Sequence, residues 1–404
     1  MKIKIKKTDL YMFLFVFVMI FDHIIGYINF DNRYFITGNL NFLYFLAICF
    51  CLTNKNEFKS FAELFIILCI YAVFQCIFVG NIGFSLSECL INISKISICF
   101  MVYRFFGRKK VIIDYVVAVK RIVIILCGIF IVALFWKSKY LWRLEDTINK
   151  YTDVRLKLLY NEPSEIGLHV GLVIVILIGL YLDNKIVKKS FIIMMVPLLL
   201  ILTYAKPMLG LATIIITSIF MYLKYCFKRI SIVKFISLLI LGMAIICGFY
   251  YLQISDNEIA QRFRAVLEGT DASSRYRIQF SFIMVKNCLL SSKGVGVGFS
   301  RLTSTYYMNK YSYLGLTSSG ITASFYNFVA ETGIFGIACI IMLVIHTYKK
   351  IRINFNYTSF GMILFITIYQ FMGTYFTNPL CWMIYGLAVS NSINFKRKKE
   401  KQIE

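Results

Sequence analysis

The chain has 404 residues, 59% of them hydrophobic, and a mean hydropathy of +0.73. This composition excludes a soluble globular protein, because a soluble domain needs a polar exterior. The formal net charge of +24 would suit a nucleic-acid-binding protein. The basic residues, however, gather between apolar runs as in membrane proteins, so no nucleic-acid partner is expected. We therefore predict an all-α, polytopic integral membrane protein.

Apolar runs of roughly 20 residues, the length of a membrane-spanning helix, recur along the chain. The first follows a basic head and has no small-residue cleavage site, so we interpret it as a retained span and not as a signal peptide. Residues 1–404 are treated as a single transmembrane domain. About twelve spans are predicted, near 10–30, 36–52, 61–80, 86–106, 115–136, 165–182, 191–204, 208–223, 235–254, 320–345, 357–375 and 379–394.

The charges of the loops predict the orientation of these spans. If the N-terminus is cytoplasmic, the cytoplasmic segments together carry 24 Lys and Arg residues. Four short outer turns carry only two basic residues, Arg33 and Lys206. This asymmetry follows the positive-inside rule and predicts that both termini lie in the cytoplasm.

Two outer segments, 137–164 and 255–319, are much longer than the other outer turns. Long loops in a compact membrane protein are usually functional, so we expect any chemistry to lie in this medium and this large extracytoplasmic segment. The larger one has four acidic residues and eight basic ones: Arg262, Arg264, Arg275, Arg277, Lys286, Lys293, Arg301 and Lys310.

The sequence Asn161-Glu162-Pro163-Ser164-Glu165 leads directly into the sixth predicted span. For Pro163, Ser164 and Glu165, the start of a helix explains the pattern as well as a function does, because such residues suit a first helical turn. Glu162 lies just outside the helix at the membrane face, where it could act as a base or hold a basic partner. Arg155 lies seven positions earlier.

Lys206 lies in the short outer hairpin LTYAKPMLG. A lysine that reaches along the helix to the membrane interface would be the structural explanation. Short outer turns otherwise avoid lysine, so we favour a functional role, in which Lys206 faces a phosphate carried by a lipid.

Four arginines form two pairs in the segment QRFRAVLEGTDASSRYRIQF: Arg262, Arg264, Arg275 and Arg277. Arginine suits two-pronged contacts with phosphate, because its guanidinium is planar and always charged. A solvated amphipathic segment explains any one of them equally well, but four idle arginines are not expected.

Two further motifs follow. The segment SSKGVGVGFS at 291–300 lacks the strand and the Lys-Ser/Thr of a nucleotide-binding loop, so we interpret it as a tight turn that aims Arg301. Glu331 lies near the outer end of the tenth span, where an acid usually faces a partner or a cavity. Gly333 and Gly336 beside it indicate close helix packing.

The order of these motifs resembles that of the bacterial O-antigen and capsule polymerases (Wzy-type) and of the related O-antigen ligases. The resemblance spans roughly residues 155–340. It is carried by Glu162-Pro163-Ser164, Thr203 to Lys206, Ser273-Ser274-Arg275, Gly294 to Phe299 and Glu331-Thr332-Gly333-Ile334-Phe335-Gly336. Ligases typically carry His-Asn upstream of the last motif, whereas this chain has Ile321-Thr322-Ala323-Ser324-Phe325, which favours a polymerase.

The resemblance implies a fold like that of GT-C glycosyltransferases and a glycosyl transfer at the outer face of the bacterial cytoplasmic (inner) membrane. Donor and acceptor would be repeat units linked to undecaprenyl pyrophosphate, with membrane lipids, a chain-length regulator and a flippase as further partners. Lys206 and Arg275 match the family positions that grip the pyrophosphate, with Arg155, Ser164, Arg262, Arg264, Arg277, Arg301 and Glu331 as further substrate-binding residues. No cofactor or metal is expected, and no Cys/His cluster in the sequence has metal-ligand spacing.

Breaking a sugar–pyrophosphate bond develops negative charge on the leaving phosphate, which fixed cations stabilise. The acceptor hydroxyl needs a base, for which Glu162 is the first choice and Glu331 the second. The alternatives are an O-antigen ligase and a lipid-linked oligosaccharide flippase. A flippase is expected to have two related halves and short outer loops, neither of which this sequence shows.

The predicted topology can be tested by cysteine labelling of intact cells. A Thr270→Cys variant should react with an impermeant thiol reagent above the level of the native cysteines, and a Lys398→Cys variant should not. Labelling at position 398 together with protection at position 270 would show that the orientation is the reverse of the predicted one.

Overall fold

The computed structural model describes residues 7–22, 55–108, 110–143, 154–228, 250–255, 258–317, 320–374 and 376–400, together with a few positions between 232 and 248. The predicted span near 36–52 lies outside the described residues, as do half of the span near 235–254 and residues 23–30 of the first span.

The described chain is almost entirely helical. Its α-helices are α1 (Lys7–Phe21), α2 (Lys55–Val79), α3 (Leu86–Phe106), α4 (Tyr115–Phe135), α5 (Pro163–Leu182), α6 (Lys188–Ala205), α7 (Met208–Lys228), α8 (Glu258–Leu267), α9 (Ala272–Arg275), α10 (Ser281–Ser291), α11 (Thr305–Lys310), α12 (Ser324–Ile353), α13 (Tyr357–Met372) and α14 (Pro379–Glu400). A π-helical turn, Tyr276–Phe280, joins α9 to α10. Strands β1 (Trp142–Arg143) and β2 (Arg155–Leu156) form a small antiparallel ribbon.

Seven of the described helices, α2 to α7 and α12, are long and apolar enough to cross a membrane. Two shorter apolar helices lie within α1 and α13. The prediction of an all-α polytopic membrane protein is therefore confirmed, while the number of twelve spans stays a prediction.

Helix α5 is the most buried of the seven, because small residues let its neighbours approach closely. A β-carbon added at Gly167 would lie 2.9 Å from the α-carbon of Gly210 in α7. One added at Gly179 would lie 2.5 Å from the α-carbon of Thr358 in α13. These contacts fix the position of α5 against both helices.

Helices α5 and α13 run antiparallel and are joined by hydrogen bonds at both ends. After the last turn of α5, the carboxylate of Asp183 accepts hydrogen bonds from the backbone N–H groups of Tyr357 (2.8 Å) and Thr358 (3.1 Å) at the start of α13. At the other end, the Tyr369 hydroxyl donates to the carbonyl of Ser164 (3.2 Å). The end of α13 is thereby held beside the start of α5.

The long segment 255–319 is, in its described part, a folded layer and not an open loop. It contains α8 to α11, and it has an apolar core that is separate from the main core of the bundle. This second core consists of Met284, Val285, Cys288, Val297, Leu302, Tyr307, Tyr311, Leu314, Leu316, Ile321, Ala323 and Ala330. Ala323 lies directly before α12 and Ala330 lies within it, so the layer is packed onto the bundle.

Helix α12 is broken at Gly333, whose φ of 64° and ψ of −143° are not helical. The glycine-rich turn 294–298 closes this break through backbone hydrogen bonds, from Gly298 N–H to the carbonyl of Glu331 (2.9 Å) and from Ile334 N–H to the carbonyl of Gly294 (2.9 Å). Gln75 of α2 donates to the Glu331 carbonyl as well (2.7 Å). Backbone groups freed by a break within a membrane helix need such partners.

The predicted close packing at Gly333 is confirmed, and the break gives a stability prediction. A β-carbon at Gly333 would collide with the backbone of Gly294 and Gly296, and its positive φ is strained for other residues. Gly333→Ala should therefore destabilise the detergent-solubilised protein by at least about 2 kcal/mol. Thermal unfolding measures this effect.

Gly128→Ala in α4 is the matched control, because nothing lies within 4 Å of the added carbon there. Equal melting temperatures for the two variants would contradict the prediction and would show that the protein does not need glycine at position 333.

Candidate functional site

The start of α5 combines a helix cap with an open carboxylate. Glu162 occupies the N-cap position and Pro163 the first helical position, as the sequence predicts. The Glu165 carboxylate reaches back to accept a hydrogen bond from Asn161 N–H (3.0 Å). The Glu162 carboxylate is exposed, makes no capping bond to the helix backbone and accepts a hydrogen bond from the Ser164 hydroxyl (3.1 Å). Capping is therefore done by Glu165, and Glu162 faces solvent.

The hairpin that carries Lys206 packs on the second turn of α5, at Gly167. Lys206 ends α6 in a left-handed conformation with φ 48° and ψ 48°, and it is half-buried. The next residue, Pro207, would have its β-carbon 2.9 Å from one added at Gly167. The sharp turn at Lys206 thus places a cation at the end of the bundle where α5 begins.

Arg277 reaches this end of the bundle from the π-helical turn. One of its guanidinium nitrogens, Nη1, would lie 3.1 Å from a β-carbon added at Gly373, which follows the last turn of α13. Within the described part of the chain, its guanidinium makes no hydrogen bond. π-Turns inside helices are frequent at functional sites.

Tyr369 links Arg277 to α5. Its hydroxyl donates to the Ser164 carbonyl and is also influenced by the charges of Arg277, Glu165 and Glu162. We use the name α5 cluster for five residues at this end of the bundle: Glu162, Ser164, Glu165, Lys206 and Arg277.

The members of the α5 cluster, two cations, two carboxylates and a hydroxyl, lie at one end of the bundle. Fixed cations of this kind can stabilise an anion, and an exposed carboxylate can accept a proton. Lys157 adds a third cation near Glu165. Burial lowers the pKa of Lys157, and the negative charge of Glu165 partly opposes this.

Arg155 lies at the same end, in strand β2 of the ribbon. Its backbone lies opposite that of Arg143 in β1. The ribbon packs on the end of α6, with the rings of Trp142 and Tyr204 6.3 Å apart. The ribbon therefore borders the hairpin of Lys206.

Arg275 lies away from the α5 cluster, although the sequence pairs it with Lys206. It is exposed, and its guanidinium lies over the ring of Phe280 at 5.0 Å from the ring centre. Residues two positions apart point to nearly opposite sides of a helix, since each residue turns the chain by about 100°. The structure therefore turns Arg277 towards α5 and Arg275 towards the surface.

The other pair of arginines lies in α8. The guanidinium of Arg264 donates to the carbonyls of Gln253 (2.6 Å) and Ser255 (2.9 Å), where the preceding helical segment ends. These bonds satisfy carbonyl groups that a helix end leaves open. The side chain of Arg262 lies outside the described residues.

Arg301 and Glu331 are both buried, with 1% and 3% of their surface exposed. The Arg301 guanidinium donates to the carbonyl of Gly80 and lies 3.1 Å from the sulfur of Cys76. The glycine-rich turn precedes Arg301 as predicted, but the Arg301 side chain points into the protein. The structure thus gives Arg301 a place in the scaffold and not on the outer surface.

The Glu331 carboxylate accepts hydrogen bonds from the side chain of Asn92 (3.0 Å) and from Ser300 N–H (3.0 Å). The prediction that this acid faces partners instead of lipid is confirmed. Its partners hold the glycine-rich turn against α3 and α12, so Glu331 supports the break in α12.

Sequence reasoning missed Lys157 and Tyr369. Lys157 could have been found as a third basic residue near Glu162, in the stretch RLKLLYNEPSE. Tyr369 lies in an ordinary apolar span, and only the antiparallel packing of α13 on α5 brings it to the cluster.

Comparison with known proteins adds no family to these observations. No protein-family model matches the chain, and no curated protein matches its sequence.

Proposed function

We propose that the chain is a membrane-embedded glycosyltransferase that joins oligosaccharide repeat units, carried on undecaprenyl pyrophosphate, into O-antigen or capsular polysaccharide. The observation that carries the proposal is the convergence of Glu162, Lys206 and Arg277 at one end of the bundle. The resemblance of the motif order to the Wzy-type polymerases supports it.

In the proposed reaction, a hydroxyl oxygen of the acceptor sugar forms a bond with the anomeric carbon of the donor. The bond between that carbon and the pyrophosphate oxygen breaks, and undecaprenyl pyrophosphate leaves with the electron pair. Glu162 takes the proton of the hydroxyl, because its carboxylate is exposed. Lys206 and Arg277 stabilise the charge that develops on the leaving pyrophosphate.

Arg277 takes the role that the sequence assigns to Arg275, because it lies beside Tyr369 and the start of α5. Lys157 and Arg155 add positive charge at the border of the site. The proposal places this end at the outer face of the bacterial cytoplasmic membrane, with about twelve spans and both termini inside. It requires no metal and no nucleotide cofactor.

The two arginines of one helical turn give a matched pair of variants. Arg277→Ala should lower the rate of polymer formation roughly a hundred- to thousandfold, the usual effect of removing one preorganised partner of a developing charge. Arg277→Lys should also lose most activity, since it keeps the charge but not the planar fork. Arg275→Ala should retain most activity. The assay is polymerisation of purified lipid-linked repeat units by equal amounts of inserted protein.

Full activity of Arg277→Ala with loss in Arg275→Ala would return the phosphate contact to Arg275. Full activity of both variants would show that neither Arg275 nor Arg277 stabilises the leaving pyrophosphate.

Lys206 is expected to act as a point charge near the membrane plane. Lys206→Arg should therefore keep much of the polymerising activity, and Lys206→Ala should lose most of it. The left-handed turn at this position is already adopted by a non-glycine residue, so both variants should insert normally. Polymer of normal length from Lys206→Ala would make Lys206 a structural residue.

Deleting the gene distinguishes the proposed function from its alternatives. Surface glycan that carries single repeat units indicates the loss of a polymerase. Complete absence of surface glycan indicates a flippase. Polymer that stays on its lipid carrier and is not joined to the lipid A core indicates a ligase, and either of these last two results contradicts the proposal.

A further inference from the structure

We propose that the end of the bundle opposite the α5 cluster binds the phosphate headgroup of an anionic membrane lipid. A cavity of about 320 Å³ lies there. Its lining residues come from the ends of α7 and α12, from the link between α12 and α13 and from the start of α13: Lys224, Phe227, Tyr348, Arg352, Phe355 and Tyr357. α7 begins beside the α5 cluster and ends at this cavity, so the two sites are separated by the length of that helix.

Two cations, Lys224 and Arg352, line the cavity. Within the described part of the chain, neither Lys224 nor Arg352 forms an ion pair. The carboxylate that lies near Tyr357 belongs to Asp183, and the N–H groups at the start of α13 and the Thr358 hydroxyl already bind it. The charge of the cavity therefore favours an anion.

Tyr357 is a second and independent sign of a ligand. It is only 5% exposed and lines the cavity. Its hydroxyl oxygen is buried, yet it has no hydrogen-bond partner among the described residues. Such groups are rare in folded proteins, because a buried polar group without a partner is costly. A phosphate oxygen would accept this hydrogen bond.

The position and the walls of the cavity favour a lipid over free phosphate. Lys224 and Arg352 lie near the ends of two helices that are long and apolar enough to cross a membrane. The ends of membrane-crossing helices meet the headgroup region. Four aromatic rings line the cavity, and Lys224 Nζ lies 5.9 Å from the ring centre of Phe355. Basic pockets between membrane helices are typical sites for anionic headgroups, and aromatic residues gather at the same depth.

The test is thermal unfolding of the full chain in mixed micelles of detergent and phosphatidylcholine, titrated with phosphatidylglycerol. The unfolding temperature should rise and reach a plateau. In Lys224→Gln/Arg352→Gln, half-saturation should need at least about tenfold more phosphatidylglycerol, since each cation near an anionic surface contributes severalfold. Tyr357→Phe should weaken binding severalfold, and because this change keeps the ring it also serves if the double variant does not fold.

The matched control is Lys188→Gln/Lys189→Gln. It removes two exposed lysines from the start of α6, at the same end of the bundle. Binding that is unchanged in this control and weakened in the cavity variants supports the site. Equal weakening in the control and the cavity variants, or unchanged binding in the cavity variants, overturns it. Equal stabilisation by inorganic phosphate overturns the assignment to a lipid. None of these results depends on polymerase activity.

Discussion

The close contacts of α5 with α7 and α13 determine where the candidate site can lie. Gly167 and Gly179 let backbone approach backbone, so that α5 cannot shift along its axis without a collision. Hydrogen bonds at both ends of the α5–α13 pair then fix the start of α5 beside the end of α13. Because Glu162 and Ser164 belong to that start, their position follows from the packing of the membrane helices and not from a mobile loop.

Three arginines of the segment 255–319 fall into two groups with different surroundings. Arg301 and Arg264 are used within the fold, because their guanidinium groups satisfy backbone carbonyls at Gly80 and at the end of the helical segment 250–254. Arg277 is directed to the α5 cluster and makes no hydrogen bond with the described residues. This division separates the arginines that hold the fold from one that the described fold does not use. By the same reasoning Glu331 belongs to the scaffold, and Glu162 is left as the carboxylate for the proposed chemistry.

Much of the fold could be predicted from the sequence, because apolar runs of sufficient length in a chain this hydrophobic leave few alternatives. Local signals also sufficed for the start of α5 at Pro163 and for the close packing at Gly333. The resemblance favoured Arg275, and the sequence could not show that Arg277 is the one that faces α5, since both have the same chemistry and only the packing of α13 decides this. The burial of Arg301 could not be predicted from the sequence for a similar reason, because its partners lie more than two hundred positions away along the chain.

The central claim is tested most directly by reconstitution of the purified chain in proteoliposomes with purified undecaprenyl-pyrophosphate-linked repeat units. The account predicts a ladder of polymer, with one undecaprenyl pyrophosphate released for each glycosidic bond formed. Transfer of repeat units across the bilayer without any polymer would contradict it and would identify a transporter in place of a polymerase.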